Sequence, residues 1–305
     1  MDEVKQTQET QFVIQTKGLT KRFPGKIAVN KVDMHVEKGA IYGLIGKNGA
    51  GKTTAMKMLL GILEPTEGKI TLFGSNDLKK QRTRIGSLIE APGIYKNFSA
   101  YENMKRFAIL AGGSDKEILE LLAFVGLGNV GNKKAGDFSL GMKQRLGIAI
   151  ALLGDPELLI LDEPTNGLDP AGIKEIRDLI IKLNKERGVT FMISSHLLDE
   201  LSKIATAYGI INDGKLVEEI SAQELTARCR DGVRIVADDL QKAADILTQN
   251  GFSDFKVRKS SILLHEGVDR SAEINELLVK SGLKISELSI HNNGFEEYFI
   301  KRLGH

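Results

Sequence analysis

The stretch that decides the fold is Gly46-Lys47-Asn48-Gly49-Ala50-Gly51-Lys52-Thr53. It fits the phosphate-binding pattern G-x-x-x-x-G-K-[ST], in which glycines let the backbone curl until several N–H groups point at phosphate oxygens. The apolar run at residues 40–45 predicts a buried strand before the loop, and the spacing within residues 54–63 predicts a helix after it. A Gly-rich turn that fits by accident is the alternative. The strand–loop–helix context favours a nucleoside-triphosphate site.

The end of this loop carries the chemistry. Lys52 would neutralise the terminal phosphates, and Thr53 would offer its hydroxyl to Mg²⁺. The predicted nucleotide contacts of the loop are Gly46, Asn48, Gly49, Ala50, Gly51, Lys52, Thr53 and Thr54.

Composition narrows the class of protein. The chain has 305 residues, 42% of them apolar and 27% charged, which is ordinary for a globular protein. A net charge of +2 gives no broad basic surface, so no nucleic-acid partner is expected. The single cysteine, Cys229, fits a reducing compartment. No apolar window is long enough to cross a bilayer, so we expect any membrane role to come through a partner.

Strand-like and helix-like segments alternate along the first two thirds of the chain, which predicts an α/β fold with a mainly parallel core sheet. The predicted strands are residues 11–15, 32–36, 40–45, 69–73, 85–89, 158–161 and 189–193. The predicted helices are residues 54–63, 100–111, 115–125, 142–153 and 173–186.

Two adjacent carboxylates, Asp162 and Glu163, follow the apolar run at residues 158–161. The end of a buried parallel strand lies at the carboxyl edge of the sheet, beside the phosphate loop. Asp162 would then hold Mg²⁺ and Glu163 would face an attacking water. A solvated strand end is the alternative reading, and the intact loop upstream favours function.

Three further motifs follow in a fixed order. They are Phe-Ser-Leu-Gly-Met-Lys-Gln-Arg at residues 138–145, Asn-Gly-Leu-Asp at residues 166–169, and Ser-Ser-His at residues 194–196. Together with the phosphate loop and the carboxylates, they resemble the ATP-binding subunits of ABC transporters over about residues 12–220. The resemblance implies a P-loop NTPase of ABC type that binds ATP and Mg²⁺.

The resemblance also implies roles for single residues. His196 would contact the γ-phosphate and position the attacking water, and Phe23 would lie against adenine. Ser139 and Gly141 would belong to a signature loop that reaches the nucleotide of a second copy, so that ATP joins two subunits. Taken alone, a histidine is more often structural, and Phe23 would pass for a core residue.

Departures from the family pattern narrow the branch. Lys47 replaces a common proline, while Leu140 and Met142 replace signature-loop residues. Glu90 stands where a glutamine is usual, and its full charge should attract a cation and repel phosphate more strongly. These features resemble the bacitracin and lantibiotic self-protection branch. That branch implies export, or expulsion from the membrane, of a peptide antibiotic.

The expected partners are integral-membrane permease subunits and a second copy of this chain, at the cytoplasmic face of the cell membrane. The helical insert, about residues 91–140, would dock the permease, with Tyr95, Phe98 and Tyr101 as exposed-looking aromatics. Packing of these rings inside the insert is equally compatible. Alternative functions are export of another drug, lipid or ion, or a soluble clamp or sensor ATPase.

The pattern changes beyond residue 221. Short strand-like and helix-like pieces predict a small C-terminal α+β accessory domain at residues 222–305, after a nucleotide-binding domain at residues 11–221 and a mobile tail at residues 1–10. Its histidines, His265, His291 and His305, are too dispersed to suggest a metal site.

Overall fold

The described part of the chain forms two compact units. The computed structural model describes residues 12–196, 198–229, 232–291 and 295–303, so the tail expected at residues 1–10 lies outside the described residues. The first unit ends at Ala222 and the second begins at Gln223. Within the described ranges, no helix combines the length and apolarity needed to cross a bilayer.

A six-stranded sheet forms the centre of the first unit. Its strands are β4 (Ile41–Ile45), β6 (Ile85–Leu88), β7 (Leu158–Asp162), β8 (Thr190–Ser195), β9 (Ala207–Asn212) and β10 (Lys215–Ser221). They lie in the order β10-β9-β4-β8-β7-β6, and only β9 and β10 pair in the antiparallel sense. Strands β4, β7 and β8 are buried along their whole length, as expected for parallel strands covered on both faces. The predicted α/β architecture with a mainly parallel core is confirmed.

A second, antiparallel sheet is built around one long strand. It contains β1 (Phe12–Phe23), β2 (Lys26–Val32), β3 (His35–Glu37) and β5 (Glu67–Leu72), and β1 pairs with each of the others. The single strand predicted at residues 32–36 is wrong. The Thr16 hydroxyl, on β1, donates to the carbonyl of Val32 and accepts from the N–H of Met34, so side-chain hydrogen bonds interrupt the regular pairing with β1 where β2 ends and before β3 begins.

Seven α-helices lie in the described residues of the first unit, and an eighth, α8, begins at its last residue and continues into the second unit. They are α1 (Lys52–Leu59), α2 (Leu78–Arg82), α3 (Ala100–Ala111), α4 (Asp115–Phe124), α5 (Leu140–Ala151), α6 (Pro170–Arg187), α7 (Leu198–Leu201) and α8 (Ala222–Arg228). Helix α1 buries Ala55, Met56, Met58 and Leu59 in a core that contains residues of both sheets. Burial of each of the larger side chains, Met56, Met58 and Leu59, contributes about 1.5–3 kcal/mol, so this core fixes α1 beside the central strands.

Polar contacts of Glu219 link the central sheet to the antiparallel sheet. The Tyr42 hydroxyl, on β4, donates to the Glu219 carboxylate on β10 over 2.7 Å. The backbone N–H of His35, on β3, donates to the same carboxylate oxygen over 2.8 Å. Burial, and then the neighbouring Glu219 carboxylate, raises the pKa of Tyr42 well above its ordinary value, so the phenol remains a donor.

The second unit is a four-stranded antiparallel sheet with helices packed against it. Its elements are β11 (Gly232–Ala237), α9 (Leu240–Gln249), β12 (Phe255–Val257), β13 (Ile262–Leu264), α10 (Ser271–Lys280), β14 (Ile285–His291) and α11 (Phe295–Leu303). The strand order is β12-β13-β11-β14. Leu247 of α9 and Leu278 of α10 share a core with Val233 and Ile235 of β11, so this unit has a hydrophobic core of its own.

Candidate functional site

The phosphate loop connects the end of β4 at Ile45 with the start of α1 at Lys52. Two of its glycines stand where a side chain has no room. A Cβ atom on Gly46 would collide with the carbonyl oxygen of Ile211, and one on Gly51 with that of Ala28. Gly51 also has a φ of 109°, which L side chains rarely adopt. The surrounding backbone therefore requires these glycines.

Lys52 lies at the centre of the loop with only 6% of its side chain exposed. Its Nζ donates to the carbonyl oxygen of Gly46 over 2.7 Å and lies 3.3 Å from Oε1 of Glu163. A buried ammonium acts through a lower local dielectric than water, which strengthens its attraction for anions. The loop thus holds a positive charge at the N-terminus of α1.

Asp162 lies at the end of β7, as predicted, and contacts the phosphate loop. Its Oδ2 accepts a hydrogen bond from the Thr53 hydroxyl over 2.7 Å. Its Oδ1 accepts a short hydrogen bond from the hydroxyl of Ser194, which pairs with Asp162 in the register of β7 and β8. Asp162 is 4% exposed, and two hydroxyls donate to its carboxylate, which holds the carboxylate in place.

Glu163 connects the phosphate loop to His196 of the Ser-Ser-His motif. One carboxylate oxygen faces Lys52, and the other lies 2.5 Å from Nδ1 of His196. The backbone at Glu163 has a φ of 49°, a strained left-handed value, and its N–H donates to the Ser194 hydroxyl over 2.9 Å. The three predicted catalytic residues therefore form one connected chain at the edge of the sheet.

An open cavity of about 440 Å³ lies over the phosphate loop. The residues that line it are Phe23, Lys26, Ala28, Asn48, Gly49, Ala50, Gly51, Lys52, Thr53, Thr54, Glu163 and Asn166. Phe23 is 41% exposed, so it is a surface ring and not a core residue. The cavity gathers most of the predicted nucleotide contacts around the ammonium of Lys52.

Glu90 lies apart from the cavity lining. Its Oε1 accepts from Nζ of Lys57, on α1, over 2.6 Å. Glu90 has a φ of 64° and a carboxylate that is 66% exposed. The structure therefore gives this predicted metal ligand a lysine as its partner.

Ser139 and Gly141 also lie outside the cavity lining. The Ser139 hydroxyl caps α5 by accepting from the N–H of Met142 over 3.2 Å, and Ser139 and Leu140 are exposed. A Cβ atom on Gly141 would have the Leu168 side chain as its nearest neighbour, at 3.9 Å. The signature turn is thus an open helix N-terminus beside the loop at residues 166–169.

Sequence reasoning missed two contacts in this region. The Ser-Ser-His motif gives no role to Ser194, which holds both Asp162 and Glu163. No motif includes Lys57. Its position four residues after Thr53 was the available signal, because residues four apart share a helix face.

The site combines a phosphate loop, a carboxylate pair at a strand end and His196, on a mainly parallel sheet. These features define a P-loop nucleoside triphosphatase. The ABC transporter family matches residues 29–166 of the chain. The bacitracin transport ATP-binding protein BcrA of Enterococcus faecalis is 45% identical, and the match covers 96% of this chain and 97% of that protein. The chain belongs to the ABC transporter family, as an ATP-binding subunit that hydrolyses ATP.

Two other similarities agree with this assignment. The lantibiotic transport ATP-binding protein SrtF of Streptococcus pyogenes is 49% identical over 68% of this chain and 90% of its own length. The solved structure of cbiO1 from Clostridium perfringens, part of the ABC transporter complex cbiONQ, is 25% identical. It covers 78% of this chain and 96% of its own, with a TM-score of 0.65. The predicted resemblance to ABC ATP-binding subunits of the bacitracin and lantibiotic branch is confirmed.

Proposed function

We propose that this chain binds Mg²⁺ and ATP over the phosphate loop and uses hydrolysis to power removal of a peptide antibiotic. The observation that carries the proposal is the connected chain of Lys52, Glu163 and His196 beside the contact between Thr53 and Asp162. Catalysis of phosphoryl transfer comes from positioning and electrostatics, and this arrangement supplies both.

The residues present fit magnesium. The Thr53 hydroxyl and the Asp162 carboxylate form a pair of hard oxygen donors at the start of α1, which is the donor type that Mg²⁺ selects. Thr53 and Asp162 would hold the ion, and Glu90 would be a further oxygen donor once it had left Lys57. When bound, the ion would neutralise charge on the phosphate oxygens.

Lys52 and the loop backbone bind the triphosphate in this proposal. The ammonium of Lys52 now contacts the Gly46 carbonyl and Glu163, and it would exchange these contacts for terminal phosphate oxygens. The backbone N–H groups of residues 48–54 add donors at a helix N-terminus. Phe23, on the rim of the cavity, stacks on the adenine.

Glu163 polarises the attacking water, and His196 positions it against the γ-phosphate. Support comes from the short contact between Nδ1 of His196 and Oε2 of Glu163. Ser194 fixes the backbone of Glu163, so the carboxylate is held in one orientation. Departure of the γ-phosphate would remove the anion that these groups face.

A second copy completes the site. The exposed N-terminus of α5, at Ser139 and Gly141, carries about half a positive charge and would face the γ-phosphate held by the partner copy. The loop at residues 166–169 would contact the partner beside it. ATP would thus join two chains, and hydrolysis would separate them.

The proposed cargo is a peptide antibiotic of the bacitracin or lantibiotic type. This specificity rests on relatives whose names state bacitracin transport and lantibiotic transport. We propose that the chain acts at the cytoplasmic face of the cell membrane, attached through separate permease subunits.

The segment before α3 is the proposed permease contact. Tyr95 is 51% exposed, whereas Phe98 and Tyr101 are half-buried, so Tyr95 is the better candidate. The buried amide of Asn103 accepts from the Tyr95 N–H and donates to the Tyr95 carbonyl, which holds this segment in place. Tyr95→Glu should uncouple transport and spare basal ATPase activity, and loss of folding would instead support a packing role.

The unit from Gln223 onward is proposed to be an accessory domain of the nucleotide-binding domain. Its separate hydrophobic core supports this division. No catalytic role is assigned to it.

Glu163→Gln tests the proposed function. The variant keeps the size of the side chain and its contact to His196, but it loses the charge that polarises water. We expect ATP binding to persist while turnover falls at least about 100-fold, the usual contribution of a general base. Binding is measured by equilibrium titration and turnover by phosphate release, with purified chain and magnesium.

Glu186→Gln is the matched control, because Glu186 is an exposed carboxylate in the last turn of α6. It should leave both quantities unchanged. Turnover at the original rate in Glu163→Gln would remove Glu163 from its role. Failure of the unmodified chain to bind ATP would contradict the whole proposal.

A further inference from the structure

Lys57 and Glu90 form an ion pair beside the proposed magnesium site. Their Nζ and Oε1 atoms are 2.6 Å apart. Thr53 and Lys57 lie four residues apart on α1, so their side chains share one face of the helix, one turn from each other. The ion pair therefore lies one helical turn from the contact between Thr53 and Asp162.

The backbone brings Glu90 to the same edge of the sheet. Leu88, the last residue of β6, pairs with Leu161 of β7. Glu90 follows Leu88 by two residues and Glu163 follows Leu161 by two, so both glutamates extend beyond the same sheet edge. Without a partner, the Glu90 charge would repel an incoming triphosphate.

We propose that Lys57 is a positioning residue that balances the charge of Glu90 until magnesium and nucleotide bind together. The inference rests on the proposed function, since it concerns the same ATP site. Glu90 stays paired with Lys57 while the site lacks a divalent cation, and the pair adds no net charge near the phosphates. Glu90 leaves Lys57 when the cation is bound with the nucleotide.

Exposure makes this exchange feasible. The side chains of Lys57 and Glu90 are 27% and 66% exposed, and ion pairs in contact with water are worth little. Glu90 can therefore change partner at small cost. By contrast, Asp162 is held by Ser194 as well as Thr53 and stays in place. The Asp162 carboxylate is thus held in place, whereas the Glu90 carboxylate can exchange its partner.

The measurable consequence is the dependence of nucleotide affinity on magnesium. A fluorescent ATP analogue is titrated into the full-length chain, once with excess EDTA and once with saturating Mg²⁺. The dissociation constant in EDTA is divided by the dissociation constant in Mg²⁺. This ratio reports how strongly magnesium supports nucleotide binding. Lys57→Gln leaves Glu90 unbalanced and should raise this ratio about three- to fivefold, as expected for a pair at this exposure.

Glu90→Gln supplies the second arm of the experiment. In that background, Lys57→Gln should change the ratio by less than about twofold, because the carboxylate it balances is gone. Lys57→Met keeps the aliphatic stem and replaces the glutamine variant if the latter does not fold. Lys116→Gln, which breaks an exposed pair with Glu120 on α4, is the matched charge control and should not change the ratio.

Two results would overturn the inference. One is an equal effect of Lys57→Gln with and without Glu90, since the lysine would then act on the nucleotide alone. The other is an unchanged ratio in Lys57→Gln. Absence of ATP binding by the unmodified chain with Mg²⁺ would instead contradict the proposed function, so the two failures are distinguishable.

Discussion

In the proposed function, the N-termini of α1 and α5 both face phosphate groups, and they differ in how tightly the surrounding protein packs against them. At α1, the loop packs against the backbone of neighbouring elements and encloses Lys52 in a cavity. At α5, Ser139 and Leu140 are exposed, and a Cβ on Gly141 would make only an ordinary van der Waals contact, 3.9 Å from the Leu168 side chain. The phosphate loop at α1 is thus packed and lines a cavity, whereas the start of α5 is exposed, which is what the proposed pairing of two copies requires of it.

A comparison with α3 and α4 sharpens this contrast. Both of those helices begin with a capping box, in which Glu102 or Glu117 returns to the N-cap serine. Helices α1 and α5 have no acidic residue in the first turn. Carboxylates near a helix N-terminus offset the positive end of its dipole. The helices that only support the insert are neutralised, whereas the two assigned to phosphate remain positive.

Met142→Glu would break that contrast most strongly. It gives α5 the same capping box as α3, so we expect a small gain in thermal stability. The new carboxylate would also face the partner's γ-phosphate, and like charges across an interface cost several kcal/mol. ATP-dependent pairing and turnover should fall about 100-fold, measured by light scattering and phosphate release.

Met142→Gln is the control, because it offers the same length without the charge. It should retain turnover close to that of the unmodified chain. Full activity in Met142→Glu would show that the start of α5 does not meet a phosphate.

Alanine substitutions at Gly46 and Gly141 compare how tightly the phosphate loop and the start of α5 are packed. Gly46→Ala adds a Cβ that collides with the Ile211 carbonyl, and overpacking of this kind costs about 1–3 kcal/mol. Gly141→Ala adds a Cβ that collides with nothing, since its nearest neighbour is the Leu168 side chain at 3.9 Å, and it should stabilise the helix by up to about 1 kcal/mol. Thermal unfolding measures both changes. Equal destabilisation by the two substitutions would mean that the α5 terminus is packed as tightly as the phosphate loop.

Phe23→Ala tests the proposed contact between the Phe23 ring, at the edge of the cavity over the phosphate loop, and adenine. Loss of an aromatic face that stacks on a base costs about 1–3 kcal/mol, so the ATP dissociation constant should rise at least about fivefold. Fluorescence titration measures it, with inorganic triphosphate as a ligand that lacks the base. Affinity for that ligand should not change, and a parallel loss would mean that Phe23 supports the loop instead of adenine.

The smallest expected effect is a pH dependence at α3. Hydrogen bonds from the Ser99 backbone and side chain lower the pKa of the Glu102 carboxyl below its ordinary value of 4.5. A lowered folded-state pKa gives stability that is present above pH 4.5 and is lost as pH falls through the folded value. Glu102→Gln should flatten the acid limb of the unfolding profile, and Glu120→Gln, outside any cap, should not. Identical acid limbs in both variants would contradict this role of the cap.

Most of the fold was predictable, because buried strands and amphipathic helices leave strong patterns. Helix α3 was predicted at its observed bounds, and β6 within one residue. The site followed from motif order, since parallel strands bring their carboxyl ends to one edge. That is why Lys52, Asp162 and Glu163 meet although about 110 residues separate them in the chain.

The rest depended on contacts between distant segments. No element was predicted for residues 207–221, yet β9 and β10 form the edge hairpin that reaches both Gly46 and Tyr42. The break between β2 and β3 comes from a Thr16 side chain that pairs with another strand. The partner of Glu90 was equally hidden, because Lys57 lies in a helix whose position relative to β6 is set only by packing.

The link from Tyr42 to Glu219 has a consequence for biosynthesis. A nascent chain that has not yet reached residue 219 would bury the Tyr42 hydroxyl without this acceptor, at a cost of about 1–3 kcal/mol. Gly46 likewise fits against Ile211, which emerges from the ribosome only about 165 residues later. The phosphate loop is therefore synthesised early but reaches its final packing only after Ile211 and Glu219 have been added. An incomplete chain would carry the motif without a complete pocket for ATP.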